Sequence, residues 1–414
     1  MNEFPIGPIV GLLLIACLVA LGMRWIKQPY TIALVLVGLI VAITKLTPHI
    51  SLTHNVAFFL ILPPILFQGG MNLNFAHLKQ DWKPIVLLAI PGVIISTLLV
   101  GYSLSYFWHV PLNYALLFGA LISPTDPVSV LAIMKKIKAP ERLRTILEAE
   151  SLFNDGTGVV LFMVILAMIQ NNEPLNLGHA LLQFLLVTGG GALVGSICGY
   201  LVFQLIKPID DPLLEVALTI VLVFGTPLIA EFLHCSGIIA VVVAGLMMGK
   251  GRVSYMSIKS RKTLETFWEV IDFIMNSLVF LMIGIQLQVI GKNDLLEFKG
   301  LILIGIIAVL ISRILIVYPT IYNYNQFLKP TIPSTWRHIL FWGGLRGTIP
   351  IILMLQLPEF QYRPLFLSAT FGIVLFSIIV QGLTIEPLLK KLKLQLGIID
   401  HNIRDRAYPS DQSS

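Results

Sequence analysis

The sequence ESLFND at residues 150–155 places two carboxylates, Glu150 and Asp155, inside an otherwise apolar stretch from about Leu147 to Gln170. This stretch is long enough to cross a bilayer as a helix, because a hydrocarbon core about 30 Å thick needs roughly 20 apolar residues. A carboxylate at that depth costs about 2.5 to 3.5 kcal/mol on insertion scales, so it is rarely kept without a partner or a purpose. The stretch therefore predicts a membrane-spanning helix that lines an ion or proton path.

The composition of the whole chain agrees with a membrane protein. Its 414 residues are 56% hydrophobic and 12% charged, whereas soluble domains carry roughly 25% charged residues. We predict an all-α integral membrane protein with about thirteen transmembrane helices. The predicted spans are 6–23, 30–46, 54–69, 84–107, 112–134, 147–170, 179–206, 212–233, 235–249, 261–288, 299–321, 335–357 and 362–388. Residues 1–389 would form the transmembrane domain, and residues 390–414 a short cytoplasmic tail.

The positive charges divide unequally between the loops on the two sides of the membrane. Of the 28 Lys and Arg residues, the loops on one side hold only Lys45, Lys292, Lys299 and Arg363. Short cytoplasmic loops are enriched in Lys and Arg, so we expect the N-terminus outside and the C-terminus in the cytoplasm, in the cell inner (plasma) membrane. The net charge of +6 then reflects topology, and no nucleic acid partner and no cofactor are expected.

Two spans carry sequences that should interrupt a helix. Residues 123–127 read SPTDP, and each proline removes a backbone donor and clashes with the preceding turn. Residues 343–350 read GGLRGTIP and predict a second interruption. Asp126 can neutralise the N-termini of half-helices, and Arg346 their C-termini. For the first motif alone, a simple proline kink capped by Asp126 is the alternative.

The two interruptions fall in corresponding spans, the fifth and the twelfth. Interrupted helices in matching positions of two halves indicate an inverted-repeat transporter with a binding site near the bilayer midplane. Pairing spans one to six with spans eight to thirteen leaves the seventh as a connector. This prediction depends on the spacing of the elements alone, because the two halves show no strong sequence identity.

The sixth span presents one polar helical face. Glu150, Ser151, Asn154 and Asp155 follow helical spacing, and such an oxygen site can hold either a proton or a small hard cation. An unpaired guanidinium in lipid would be intolerable, so we pair Arg313 with Glu150 as scaffold and leave Asp155 free to bind. A purely structural role for Glu150 and Asp155, as charges that hold helices together, is the alternative.

Three motifs together resemble the monovalent cation/proton antiporter-1 family, the NhaP-type sodium/proton antiporters. They are SPTDPV at 123–128, ESLFNDGTG at 150–158 and GGLRGTIP at 343–350. The resemblance covers essentially the whole membrane part of the chain. It implies the NhaA/NhaP-like antiporter fold with two crossed unwound helices, and a homodimer that works by alternating access.

The resemblance also implies a role for each residue of these motifs. The implied cation and proton site consists of Asp155, Ser151 and Thr125, with Asp155 as the sodium ligand. The implied supporting residues are Asn154, Glu150 and Arg313. Asp126 and Arg346 match the charges that compensate the dipoles of the broken helices.

The resemblance predicts an antiporter and not an enzyme. Related electrogenic antiporters have Asp at the position of Asn154, so this chain resembles the electroneutral type, which exchanges one sodium, or lithium, for one proton. A potassium/proton antiporter of the same fold is an alternative. Two further readings are a cation channel and an intramembrane aspartyl protease built on Asp126 and Asp155, although the flanking pattern of such proteases is not present.

Overall fold

A computed structural model describes residues 6–26, 30–44, 56–172, 177–286, 297–329 and 331–392, and these residues contain helices and no strands. Val56–Ile61 and Ser377–Gln381 are π-helical turns within two of these helices. The helices are α1 (Ile6–Ile26), α2 (Tyr30–Thr44), α3 (Val56–Asn72), α4 (Phe75–Gln80), α5 (Trp82–Trp108), α6 (Leu112–Ile122), α7 (Val128–Lys136), α8 (Glu141–Gln170), α9 (Leu177–Ile206), α10 (Pro212–Phe232), α11 (Gly237–Tyr255), α12 (Ile258–Gln286), α13 (Lys299–Phe327), α14 (Trp336–Trp342), α15 (Thr348–Leu355) and α16 (Arg363–Leu392).

The lengths and composition of these helices confirm an all-α, multi-pass membrane protein. In the described ranges, seven helices are long and apolar enough to cross a membrane. Shorter apolar helices include Tyr30–Thr44, Val56–Asn72 and Leu112–Ile122. The count of thirteen spans stays a prediction, because several of these helices are shorter than a full crossing and parts of the chain lie outside the described residues.

Several helices extend beyond the spans predicted from hydropathy. Helix α8 begins at Glu141, before the predicted start at Leu147, and α13 continues to Phe327, past residue 321. Helix α16 reaches Leu392 and so passes the predicted domain boundary at 389, while the rest of the predicted tail lies outside the described residues. Hydropathy finds the part of a helix in hydrocarbon, whereas the hydrogen-bonded backbone continues into the interface.

Both predicted helix interruptions are present, and they cross each other. Residues 123–127 separate α6 from α7, and residues 343–347 separate α14 from α15. At the crossing, the backbone N–H of Asp126 donates to the carbonyl oxygen of Leu345 at 2.7 Å. The prediction of two crossed unwound helices is therefore confirmed, and a simple proline kink is excluded for residues 123–127.

Glycines allow the closest approach between α2 and α12. A Cβ atom on Gly38 would overlap the carbonyl oxygen of Leu281, and one on Gly284 would overlap the carbonyl oxygen of Val35. Small residues at such contacts let helix backbones meet in lipid, where dispersion forces and not the hydrophobic effect hold helices together. The contact fixes α12 as one wall of the cavity described next.

Candidate ion-binding site

A cavity of about 330 Å³ lies between the crossed interruptions and helices α3, α8 and α12. Asp155, Ser151 and Thr125 all line it, so the structure brings the three predicted binding residues together. Asp155 itself is half-buried. The volume has room for several water molecules, and therefore for an ion that keeps part of its hydration shell beside the Asp155 carboxylate.

The Asp155 carboxylate has no ion-pair partner in the part of the chain that the structure describes. No Lys, Arg or His nitrogen in those residues lies within 4.0 Å of its oxygens. An intramembrane carboxylate used only to hold helices together would be paired with a cation. The geometry therefore favours a binding role for Asp155 over a structural one.

Asn154 and Ser151 attach the unwound segment of the first interruption to α8. The Asn154 Nδ2 donates to the Thr125 hydroxyl at 2.6 Å, and the Asn154 Oδ1 accepts from the Thr125 N–H at 3.0 Å. The Ser151 hydroxyl donates to the Thr125 carbonyl oxygen. Because each of these oxygens also carries free lone pairs, the cluster can present oxygen ligands to a cation beside Asp155.

Glu150 and Arg313 form a buried two-pronged ion pair. The Arg313 Nη1 and Nη2 donate to the two Glu150 oxygens at 2.7 and 2.9 Å, and the Asn154 Nδ2 also donates to Glu150 at 2.9 Å. Arg313 further donates to the Leu340 carbonyl at the end of α14, from Nη2 at 2.8 Å and Nε at 3.2 Å. Glu150 is thus engaged by α13 and is not available as a second ion ligand.

Asp126 contacts N-terminal ends of the interrupted helices, and Arg346 contacts a C-terminal end. The Asp126 Oδ1 accepts from the Val128 N–H at 3.0 Å at the start of α7, and its carboxylate lies against the Gly347 backbone at the start of α15. Arg346 donates from Nη1 to the carbonyl oxygens that end α6, those of Ser123 and Pro124. Each charge therefore faces helix ends of opposite partial charge.

Sequence reasoning missed two residues of α16 that complete the second interruption. The Ser377 hydroxyl accepts from the Arg346 N–H at 2.7 Å and donates to the Gln381 side-chain oxygen at 2.6 Å. The Gln381 Nε2 also donates to the Trp342 carbonyl, at 3.4 Å. A Ser and a Gln one turn apart in an apolar helix were the only available signal, and such pairs also occur in plain helix packing.

Sequence reasoning also assigned no role to polar residues on the α12 side of the cavity. Glu269, Asp272 and Asn276 of α12 line it, as do Glu148 and Lys135. The spacing of the three α12 residues places them on one helical face. That face could have been read from the sequence, but which neighbour it meets could not.

A model of the sodium/hydrogen exchanger transmembrane family matches residues 11–391 of the chain. The Na(+)/H(+) antiporter ApNhaP of Aphanothece halophytica is 38% identical over 406 residues, which cover 95% of this chain and 76% of that protein. The Na(+)/H(+) antiporter NhaP of Pseudomonas aeruginosa is 42% identical over 340 residues, 80% of each chain.

Among solved structures, the sodium proton antiporter MjNhaP1 of Methanocaldococcus jannaschii superposes with a TM-score of 0.75 at 21% identity. The match covers 94% of this chain and 98% of that one, and at this identity it establishes the fold alone. The family model and the curated relatives, in contrast, extend over most of the sequence. This chain belongs to the sodium/hydrogen exchanger family.

Proposed function

We propose that this protein is a secondary active antiporter that exchanges sodium, or lithium, for protons across a membrane by alternating access. The observation that carries the proposal is the Asp155 carboxylate, which lines a cavity between two crossed helix interruptions without a cationic partner in the described ranges. The curated relatives with the names quoted above support the same activity.

Exchange would follow from competition for a single carboxylate. In one half of the cycle, Asp155 binds a sodium ion together with oxygens of Ser151 and Thr125. In the other half, a proton binds the same carboxyl group and neutralises it, so the site no longer attracts a cation. Because proton and cation cannot occupy the site together, each crossing carries one or the other.

The residues around Asp155 would keep this site intact as it changes its access. Asn154 and the Glu150–Arg313 pair hold α8 to the first interruption and to the end of α14. Asp126 and Arg346 compensate the helix ends whether or not an ion is bound. We assign the first group to site support and the second to dipole compensation.

The orientation proposed from the loops is supported by contacts between them. Arg142, at the start of α8, pairs with Asp81 at 2.6 Å, and Lys250, near the end of α11, lies over the Phe75 ring at 5.0 Å. Basic loops from distant parts of the sequence therefore meet at one face. We propose that this face is cytoplasmic and that the N-terminus lies outside.

We further propose that residues 1–389 form the transmembrane domain and that residues 390–414 form a cytoplasmic tail. The protein would lie in the cell inner membrane as a homodimer.

We further propose a one-for-one, electroneutral exchange, because Asn154 stands where a second carboxylate would be needed. A potassium/proton exchanger would use the same carboxylate, and cation titration separates the two. An aspartyl protease has less support, since Asp126 accepts from the Val128 amide and lies against the Gly347 backbone, contacts that a catalytic dyad sharing a proton would have to give up.

The test is proton flux in sealed proteoliposomes with sodium, lithium and potassium supplied in turn. Asp155→Asn keeps the size and shape of the side chain but removes its charge and its titratable group, and we expect it to abolish cation-dependent proton flux. Asp210→Asn, which removes a charge from an exposed residue away from the cavity, is the matched control and should transport normally. Undiminished exchange by Asp155→Asn would remove Asp155 from the mechanism.

A further inference from the structure

We propose that the cavity contains a second binding site for a monovalent cation, formed by Asp272 of α12 and Gln68 of α3. The inference builds on the proposed function, because it places this site within the same cavity as Asp155. It concerns a different wall, however, and a different pair of oxygen ligands. A cation bound there would lie beside the transport site but would not be exchanged for a proton at Asp155.

Gln68 provides a buried oxygen that lacks a donor. The side chain lines the cavity and is only 5% exposed, yet its Oε1 accepts no hydrogen bond from the described residues. Buried amide oxygens in native proteins are nearly always satisfied by protein, water or an ion. Since this oxygen belongs to a cavity-lining side chain, a cation or its hydration water is the natural partner.

Asp272 provides the charge. The Asn276 Nδ2 donates to its Oδ1 at 2.8 Å, but no cationic side chain of the described residues lies within 4.0 Å of the carboxylate. Lys135 lines the same cavity without forming such an ion pair. Asp272 is thus a carboxylate held by one neutral partner in a setting where unpaired carboxylates are expected to have a function.

Contacts between α3 and α12 place Gln68 and Asp272 on neighbouring helices that line the same cavity. Phe67, next to Gln68, packs on Trp268, one turn before Asp272, with ring centroids 5.0 Å apart. Helix α3 runs parallel to α11, because Gly245 approaches Phe67 and Gly249 approaches Met71. Helix α12 also packs on α3 and is joined to α11 by only two residues, so it runs back along α3 in the opposite direction.

This antiparallel arrangement matters because helical side chains lean toward the N-terminus of their own helix. The side chains of Gln68 and Asp272 consequently lean in opposite directions along the α3–α12 wall, and both line the same cavity. An oxygen from an amide and one from a carboxylate are both suitable ligands for a hard monovalent cation. The cavity has space for the remaining ligands to be water.

The test measures cation binding in a variant that cannot use the transport site. Purified Asp155→Asn protein is heated in detergent with increasing sodium chloride, with choline chloride keeping the ionic strength constant. A ligand that binds only the folded state raises the unfolding midpoint even when its affinity is weak. We expect a saturable, sodium-dependent rise in Asp155→Asn, and we expect Asp155→Asn/Asp272→Asn to lose it.

Two further variants keep this test decisive. Asp155→Asn/Gln68→Leu removes the unpartnered oxygen and should weaken sodium binding about tenfold, the value of one contact to a charge, with no loss of stability in the absence of sodium. Asp155→Asn/Asp210→Asn removes a charge outside the cavity and should respond to sodium as Asp155→Asn does. An equal loss in this control would mean that general charge, and not a site, causes the rise.

The proposal is overturned if Asp155→Asn shows no sodium-dependent rise, or if the rise survives both Asp272→Asn and Gln68→Leu. Neither result bears on transport by Asp155, which the flux assay measures independently. Conversely, failure of Asp155→Asn to abolish flux would refute the proposed exchange mechanism and leave the second site to be judged from binding alone.

Discussion

Replacing Arg313 with Ala should destabilise the protein more than replacing any surface arginine. The Glu150 side chain is completely buried and accepts two hydrogen bonds from Arg313 and one from Asn154. Arg313→Ala leaves this carboxylate with the Asn154 amide alone and also removes both donors from the Leu340 carbonyl. Breaking one side of a buried ion pair typically costs about 3 to 5 kcal/mol, and we expect a loss of folding stability in this range.

A second variant separates the stranded charge from the lost contact. Glu150→Gln/Arg313→Met removes both charges, while the Gln oxygen can still accept from Asn154. Replacing both members of a buried pair is often nearly neutral, so we expect this double variant to regain more than half of the stability lost in Arg313→Ala. Thermal unfolding of the detergent-purified proteins measures both changes.

The control is the Arg363–Glu359 pair, whose atoms lie 2.5 Å apart and whose Glu359 side chain is 86% exposed. Pairs at the surface contribute about 0.2 to 1 kcal/mol, so Arg363→Ala should leave the unfolding midpoint almost unchanged. The reasoning is refuted if Arg313→Ala is as stable as Arg363→Ala, or if the double variant is less stable than Arg313→Ala. A fully stable but inactive Arg313→Ala protein would point to a direct role in transport.

Three shorter predictions follow from the interruptions and the site. Gly347→Ala should abolish sodium-dependent proton flux, because its Cβ atom would overlap the Asp126 carboxylate. Gly225→Ala is the control: no atom lies within 4 Å of its Cβ position, and the variant should stabilise α10 by about 0.5 to 1 kcal/mol in thermal unfolding. Ser377→Ala leaves the Arg346 N–H without its acceptor and should lower the free energy of unfolding by about 1 to 3 kcal/mol. The control is Ser368→Ala, which should lower it far less in the same assay, because the buried Ser368 hydroxyl has no partner among the described residues. The sodium-dependent proton flux should not change when a membrane potential is imposed with valinomycin and potassium, and a rate that follows the potential would contradict one-for-one exchange.

The interruptions were predictable because their causes are local. Two prolines three residues apart in SPTDP each remove a backbone donor, and the glycines of GGLRGTIP weaken a helix at that point. Neither residue type is sufficient by itself, since Pro91 and Gly190 lie inside continuous helices, so the indication came from their combination with Asp126 and Arg346. The partnership of Glu150 with Arg313 followed from elimination, since α13 carries a single charge between its ends that lipid would not tolerate. The structure has this pair, at a sequence separation that no local pattern could indicate.

The second wall of the cavity was not predictable from the same arguments. Glu269 and Asp272 lie inside the predicted span 261–288 and share one helical face, but the sequence does not indicate which neighbouring helices that face meets. Their place beside the cavity depends on the close contact at Gly38 and Gly284 and on the stacking of Phe67 against Trp268. Those contacts join helices far apart in sequence, so one sequence without its fold leaves them undetermined.

The distribution of charge also gives a physical reason why exchange at Asp155 would be coupled. Asp126 and Arg346 have helix ends as partners and Glu150 has Arg313, so these charges are compensated without a bound ion. Among the charged residues of the three motifs within the described ranges, Asp155 is the one that depends on an occupant for its neutralisation. Moving a bare carboxylate through the closed, poorly hydrated intermediate would add a desolvation cost of several kcal/mol, whereas a site holding sodium or a proton crosses without it. The empty site would therefore stay open to its own side and only an occupied site would change its access, which is the condition for tight exchange.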